Sequence, residues 1–353
     1  MLDFNNLLSR LCLVPSVSSR EDRAHAFFKE LCAPYFDEVL CDRFGNVIAK
    51  KLCGKKGAKK LMLDAHLDEI GLVVTEICDG GFVKVAPIGG VDTGILPAME
   101  LILYGKETIR GIVAAAPPHL IPADKRGKKQ EMSSVLVDTG YSRESLEKII
   151  SPGDLIGFDT KFTELLNNRA ASKGMDDRAC GLCLIGAVEL VCGKDIDYDI
   201  YVTLSIREET GALGAVMAAY SVEPDFAIVV DVDHARLPGD TEKARDLIGE
   251  GASITYTDTL CRHLSDALVN SSKNARLPIQ VIADTGHTGT NAHEMAVSAG
   301  GIPCVVLSLP LKNMHTPVEL CDISDMESVA NVIAAFITDG TYKGEGEILF
   351  DRT

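Results

Sequence analysis

Short apolar runs rich in β-branched residues alternate with helical patterns along much of this chain, and this alternation is the feature that most constrains its fold. Such an order is the signature of a mainly parallel sheet covered by helices on its faces. The sequence therefore predicts an α/β sandwich. The strands are predicted at 60–65, 201–206, 226–230, 279–282 and 304–309, and the helices between them include 177–192, 212–220 and 258–269.

The segment from about residue 71 to about residue 162 has a different pattern. It contains many short strands separated by turn signals such as Asp79-Gly80-Gly81, Gly89-Gly90 and Ser151-Pro152-Gly153-Asp154. Because α/β elements flank it on both sides, we predict a small β-rich domain inserted into the α/β domain. A chain of 353 residues is long enough for two such cores.

The charge of the chain excludes some classes of partner. The formal net charge of −16 argues against binding to nucleic acid or to an anionic membrane, because both need clustered cationic side chains. The first 19 residues contain Asp3 and Arg10 and do not resemble a signal peptide. The 11 cysteines are scattered, mostly within apolar runs, which is typical of a reducing compartment. We therefore expect a cytoplasmic protein.

Two motifs place possible ligands directly after predicted secondary structure. One apolar strand ends in His66, and Asp68 follows two positions later, where a carboxylate could orient the imidazole. Taken alone, such a pair is more often an ordinary strand end. The paired Asp176 and Asp177 precede a helix, so they either cap that helix or supply a carboxylate that bridges two cations.

Three further motifs also place possible ligands at or after the ends of predicted strands. A strand ends in Glu208 and Glu209, two like charges that a cation would stabilise, although a solvated pair is as good an interpretation of this motif alone. Asp231 closes an apolar strand, and the ends of such strands are where α/β folds bind ligands. His315 follows the last apolar strand.

Together the five motifs indicate a metal site, which none of them indicates strongly alone. Two histidines and several carboxylates form a nitrogen and oxygen ligand set that suits zinc, cobalt or manganese and differs from a thiolate site. Two such ions can share a bridging carboxylate and lower the pKa of water to roughly 7. Glu208 would then take the proton of that water and pass it to the leaving amine.

The motifs, in this order, resemble those of the glutamyl aminopeptidase and tetrahedral (TET) aminopeptidase family of dinuclear metallopeptidases over essentially the whole chain. The resemblance implies a mixed-sheet α/β/α metallopeptidase domain, phosphorylase/hydrolase-like, over 1–71 and 165–353. It also implies an inserted β-barrel, PDZ-like, over 72–164 that serves oligomerisation. The motifs are His66-Leu67-Asp68-Glu69-Ile70-Gly71, Pro117-Pro118-His119-Leu120, Asp176-Asp177-Arg178, Glu208-Glu209-Thr210-Gly211, Asp231-Val232 and Met314-His315-Thr316-Pro317.

Carried over to this chain, the resemblance implies a function and a site. The enzyme would be a metal-dependent aminopeptidase with peptide substrates, no nucleic acid or membrane partner, and a homo-oligomeric, dodecameric assembly. Two divalent ions per subunit are expected, zinc or cobalt first and manganese as an alternative. Asp68 and Glu208 would be catalytic, with His66 and Asp231 on different ions. The metal ligands would be His66, Asp176, Glu209, Asp231 and His315.

Some alternatives stay open at this stage. A deacylase or carboxypeptidase on the same fold would use similar ligands, and an inactive scaffold would keep the fold without turnover. The chain also departs from the family pattern at Asn291, where many relatives have Asp, and at Arg207, where a neutral residue is common. The N-terminal side-chain preference of the enzyme does not follow from the motifs.

Overall fold

The computed structural model describes residues 2–121, 127–240 and 246–342. The helices in these ranges are α1 (Phe4–Leu11), α2 (Asp22–Cys32), α3 (Arg143–Leu146), α4 (Met175–Val191), α5 (Leu213–Val222), α6 (Arg262–Asn274), α7 (Asn291–Ala296) and α8 (Ile323–Asp339). The strands are β1 (Glu38–Cys41), β2 (Val47–Lys51), β3 (Lys59–His66), β4 (Gly71–Ile77), β5 (Phe82–Ile88), β6 (Glu100–Tyr104), β7 (Thr108–Val113), β8 (Leu136–Asp138), β9 (Leu155–Phe158), β10 (Thr163–Leu165), β11 (Arg169–Ser172), β12 (Tyr198–Ser205), β13 (Phe226–His234), β14 (Ala252–Tyr256), β15 (Ile279–Ala283), β16 (Cys304–Leu311) and β17 (Glu319–Asp322).

A mixed sheet forms the centre of the molecule, in the strand order β1-β2-β12-β3-β13-β16-β14-β15. Its central strands β12, β3, β13 and β16 run parallel, and β14 joins β16 in the antiparallel direction. Each of the five apolar runs predicted as strands corresponds to a strand of this sheet. The predicted α/β fold with a mixed sheet is therefore confirmed.

Alternating side chains of the central strands supply two separate cores. On β13, Phe226 and Ile228 pack into the larger core with α4 and α8, whereas Ala227 and Val229 pack into a smaller core with α5 and α7. Successive residues of a strand face opposite sides of a sheet, so a strand that is apolar on both faces needs helices on both. This arrangement gives the three layers of an α/β/α sandwich.

The β-rich segment forms a closed barrel in the strand order β4-β5-β8-β7-β6-β9, with an apolar core of its own. This confirms the predicted β-barrel within the α/β fold. The chain enters the barrel from β3 through Gly71, where an added Cβ atom would lie 2.7 Å from the carbonyl oxygen of Ile156 and 2.7 Å from the Val17 side chain. The close approach of three segments explains why glycine occupies this junction.

A small antiparallel sheet, β10-β11-β17, leads from the barrel back to the central domain. Its register pairs Ser172 with Glu319, which brings the start of β17 next to the start of α4. Among the described residues, we find no helix with the length and apolar character that crossing a membrane would need.

Candidate active site

The register of the central strands aligns the first ligand candidates. Ser205 of β12 lies opposite His66, and Val229 of β13 lies opposite Asp64 of β3. Asp231 is therefore level with His66 and points to the same face of the sheet. The result is a distance of 4.0 Å between His66 Nε2 and Asp231 Oδ1.

The carboxylate of Asp176, at the start of α4, lies between two imidazoles. Its Oδ1 is 3.0 Å from His66 Nε2 and its Oδ2 is 3.3 Å from His315 Nε2. His315 Nε2 is also 3.4 Å from Glu209 Oε1. The five residues predicted as ligands thus meet in one cleft, and Asp176 is placed to bridge its two halves.

The expected ligand assignment placed His66 and Asp231 on different ions. The distances favour another grouping, because His66 Nε2 lies 4.0 Å from Asp231 Oδ1 and His315 Nε2 lies 3.4 Å from Glu209 Oε1. The reason is the parallel pairing of β3 with β13, which places the two side chains side by side.

Glu208 faces the same cleft as Glu209, although the two are neighbours in sequence. Its Oε2 lies 3.9 Å from His66 Nε2. The strand geometry ends before this pair, because Arg207 has a φ of 58° and Gly211 has a φ of 118°. A turning chain can present consecutive side chains to one site, which an extended strand cannot.

Asp68 holds this turn in place. Its Oδ1 accepts a hydrogen bond from the backbone N–H of Glu208 at 3.0 Å, and its Oδ2 accepts one from that of Glu209 at 3.3 Å. The Ser18 hydroxyl donates to the same carboxylate, and His66 Nδ1 is 3.5 Å from its Oδ1. Asp68 is fully buried, so its position fits a positioning residue rather than a group that touches substrate.

Sequence reasoning missed a second positioning carboxylate, Glu319. Its Oε2 accepts hydrogen bonds from the backbone N–H groups of Met175 and Asp176 at 2.8 and 3.2 Å. Its Oε1 accepts one from the N–H of His315 at 3.1 Å. One side chain therefore fixes the backbone of two ligand candidates, and only its place four residues after His315 could have drawn attention to it.

A buried ion network lies behind the ligands. Lys173 Nζ is 2.7 Å from both carboxylate oxygens of Glu69, and Arg178 Nη2 is 2.9 Å from Glu69 Oε2. Arg178 Nη1 also donates to the carbonyl oxygens of Leu11 and Val14. The network ties the residues around Asp176 to the segment after β3 and to the N-terminal segment, and the sequence motifs did not single it out.

The barrel also contacts the site. In the loop after β5, a Cβ atom added to Gly90 would lie 2.5 Å from His315 Nδ1. Gly89 has a φ of 71°, and a Cβ atom there would lie 2.8 Å from Glu209 Oε2. The two glycines therefore allow the loop to pass directly over two ligand candidates.

Electrostatics show that the cleft suits cations. Burial raises the pKa of Glu208 to about 8, and burial also raises the pKa of Glu209 and of Asp231. For Asp176, hydrogen bonds from His315 and His66 outweigh burial and hold its pKa below the ordinary value. Divalent cations would relieve this crowding of carboxylates. The nitrogen and oxygen donors fit such ions, with ligand atoms of His66, Asp176 and Glu209 within 4.8 Å of one another.

The cleft opens into a cavity of about 570 Å³. Its lining includes the ligand candidates and Glu208, together with the loop 287–290 and Glu294 of α7. A cavity of this size takes a small ligand or the end of a peptide.

Comparison with known proteins decides the family. A model of the M42 glutamyl aminopeptidase family matches residues 45–332. The chain belongs to this family. A lysyl aminopeptidase of Pyrococcus furiosus is 33% identical over 347 residues, which cover 96% of this chain and 98% of the relative.

Solved structures agree with this M42 assignment. An aminopeptidase from the archaeon Desulfurococcus kamchatkensis has a TM-score of 0.90 at 30% identity and covers 98% of each chain. The TET1 peptidase of Pyrococcus horikoshii, which can assemble into a tetrahedron or a large octahedral shell, has a TM-score of 0.82 at 24% identity, covering 95% of this chain and 99% of its own. This M42 protein is thus an aminopeptidase, a peptide-bond hydrolase of a divalent-metal family, and a deacylase or carboxypeptidase is not favoured.

Proposed function

We propose that this M42 aminopeptidase removes N-terminal residues from peptides with two divalent ions per subunit. His66 and Asp231 would hold one ion, Glu209 and His315 the other, and Asp176 both. The observation that carries this assignment is the Asp176 carboxylate, whose two oxygens each face a different imidazole at 3.0 and 3.3 Å. When bound, the ions would polarise the scissile carbonyl and make water more acidic.

Glu208 is the proposed general base. Its carboxylate lines the cavity and lies 3.9 Å from a ligand imidazole, yet it is not needed to complete either ligand group. It can therefore accept a proton from the attacking water and deliver it to the leaving amine, the role that a single carboxylate performs in general acid–base catalysis. Asp68 and Glu319 hold the backbone of this base and of the ligands in place.

The finer properties of the enzyme are also proposals. We propose zinc or cobalt as the ions, with manganese as an alternative, because a mixed imidazole and carboxylate set accepts all three. The barrel, with its own core, would form the domain at 72–164 that supports a homo-oligomer such as a dodecamer, because one solved structure of this fold is described as a dodecamer and another as a tetrahedron or a large octahedral shell. All 11 cysteines are free thiols, which supports a cytoplasmic location.

The test is a substrate panel with controlled metal. Chelator-treated enzyme would be assayed on aminoacyl 4-nitroanilides and on their N-acetylated forms after addition of zinc, cobalt or manganese. We expect hydrolysis of the free-amine substrates alone, with two ions bound per chain at full activity. Hydrolysis of N-acetylated substrates, or full activity with fewer than two ions, would contradict the proposal. The particle mass of the same sample tests the oligomer.

A further inference from the structure

The cavity that the ligand candidates line carries an additional carboxylate. Glu294 of α7 lines the cavity beside His287, and none of the described residues that line the cavity is a Lys or an Arg. Of the five other acidic residues that line the cavity, four already have proposed roles and Asp233 has none; the four are Asp176, Glu208, Glu209 and Asp231. Glu294 has no role in that chemistry.

Glu294 is held by a histidine whose proton can be located. The backbone N–H of Gly289 donates to His287 Nδ1 at 2.9 Å, so the ring proton of a neutral His287 lies on Nε2. That Nε2–H points at Glu294 Oε1, 3.0 Å away. Ligand atoms of His287, His293 and Glu294 lie within 4.8 Å of one another. A cation bound at His287 Nε2 would nevertheless require the ring proton to move to Nδ1. There it would face the N–H of Gly289, whose hydrogen bond Nδ1 now accepts.

The second oxygen of Glu294 lacks a partner. Its Oε2 is buried and makes no hydrogen bond, while the side chain as a whole is 33% exposed. A buried carboxylate oxygen without a donor is costly, and a cation close to the carboxylate would reduce that cost through its charge. The histidine thus fixes Oε1, and a cationic ligand group would approach the exposed part of the side chain, which does not include Oε2.

The helix that carries Glu294 is anchored to the strand that carries His66. Asn291 Nδ2 donates to Asp64 Oδ2 at 2.8 Å and lies 2.9 Å from Ser205 Oγ. An amide can donate to a buried carboxylate, whereas an Asp at this position would face it with a like charge. Asn291 therefore sets the position of Glu294 relative to the metal ligands.

We propose that Glu294 selects peptides whose N-terminal residue has a cationic side chain, Lys or Arg. The inference rests on the proposed function, since it assigns the substrate class of the same cavity. The scissile bond would lie over the proposed metal ligands, and the long stem of Lys or Arg would carry its charge to Glu294 within the same cavity. His287 is then a positioning residue for Glu294.

The test compares lysyl and arginyl 4-nitroanilides with norleucyl, leucyl and glutamyl ones on the metal-loaded enzyme. Norleucine keeps the length of lysine without its charge. Because a hydrogen bond to a charged group contributes about 1.5–3 kcal/mol, we expect kcat/KM for the lysyl substrate to exceed that for the norleucyl substrate about 10–100-fold. Glu294→Gln should bring the lysyl value down to the norleucyl value and leave the leucyl value unchanged.

Controls separate this proposal from its alternatives. Glu327→Gln, on the exposed face of α8, should keep the wild-type preference. Free lysine should inhibit the wild-type enzyme more strongly than free norleucine, a measurement that needs no variant. An equal loss on every substrate in Glu294→Gln would mean that Glu294 binds the α-ammonium group, which overturns the proposal. A wild-type preference for neutral substrates would overturn the proposed role of Glu294 but not the proposed function. A failure to hydrolyse any of the substrates would overturn both.

Discussion

The two sides of the cavity are built differently. Beside the proposed metal ligands, Asp68 and Glu319 are 0% and 2% exposed and accept two and three backbone hydrogen bonds respectively. On the side of α7, the side chains of His287 and Glu294 are 52% and 33% exposed, and one hydrogen bond joins them. The positions of the chemistry are thus fixed by the buried core of the fold. The α7 side, which we propose meets the substrate side chain, can change without disturbing that core.

The largest expected effect is the loss of the base. Glu208→Gln keeps the shape of the side chain but cannot accept a proton, so kcat should fall by about 10²–10⁴-fold on every substrate. The number of bound metal ions, measured by elemental mass spectrometry, should stay at two per chain. Undiminished turnover would remove Glu208 from the mechanism, and a loss of metal would show that it is a ligand instead.

The next effect concerns the buried ion network behind the proposed metal ligands. Glu69→Gln leaves Lys173 and Arg178 without their common counter-charge, and breaking a buried ion pair in this way costs about 3–5 kcal/mol. Urea denaturation should show this fall in the free energy of unfolding. Glu147→Gln breaks an exposed pair with Arg143 and should cost at most about 1 kcal/mol. Similar losses in the two variants would show that burial does not distinguish them.

The same network predicts a pH dependence. Burial opposes ionisation of Glu69, but the charges of Arg178 and Lys173 outweigh it and lower its pKa below the ordinary 4.5. A carboxylate whose pKa is lower in the folded state stabilises the fold above the unfolded value and loses that contribution as the pH falls through the folded value. Wild-type stability should therefore fall below about pH 4.5, and Glu69→Gln should lack this component. Parallel pH profiles for the two proteins would contradict the assignment.

The sequence predicted the ligand side of the cavity better than the opposite wall, for a physical reason. His66 and Asp231 lie at or near the ends of long apolar strands and His315 follows another, and parallel strands bring their carboxyl ends together whatever the loops do. The α/β fold and the β-barrel followed from the same patterns. Glu319 and Glu294 gave no such signal, because one begins a short strand and the other lies in a helix of six residues. Their partners, Met175 and His287, are known only from the folded chain.

A smaller effect should follow from the positioning carboxylate. Glu319→Gln can accept hydrogen bonds at only one oxygen, although three backbone N–H groups now donate to the two oxygens. Substitutions of residues that orient metal ligands typically weaken metal binding about 10–100-fold. Competition with a chromophoric chelator should show this loss, and excess metal should restore most of kcat. Unchanged affinity would mean that packing alone holds Asp176 and His315.

The smallest effect tests the exposed wall. His287→Ala removes one hydrogen bond, worth about 0.5–1.5 kcal/mol, from Glu294. The lysyl over norleucyl preference should therefore fall only about 2–10-fold. Because His287 is half exposed, the free energy of unfolding should fall by only about 0.5–1.5 kcal/mol, less than the loss expected for Glu69→Gln. A larger loss of stability would show that this wall is as firmly built into the fold as the ligand side, and the contrast between the two sides would then disappear.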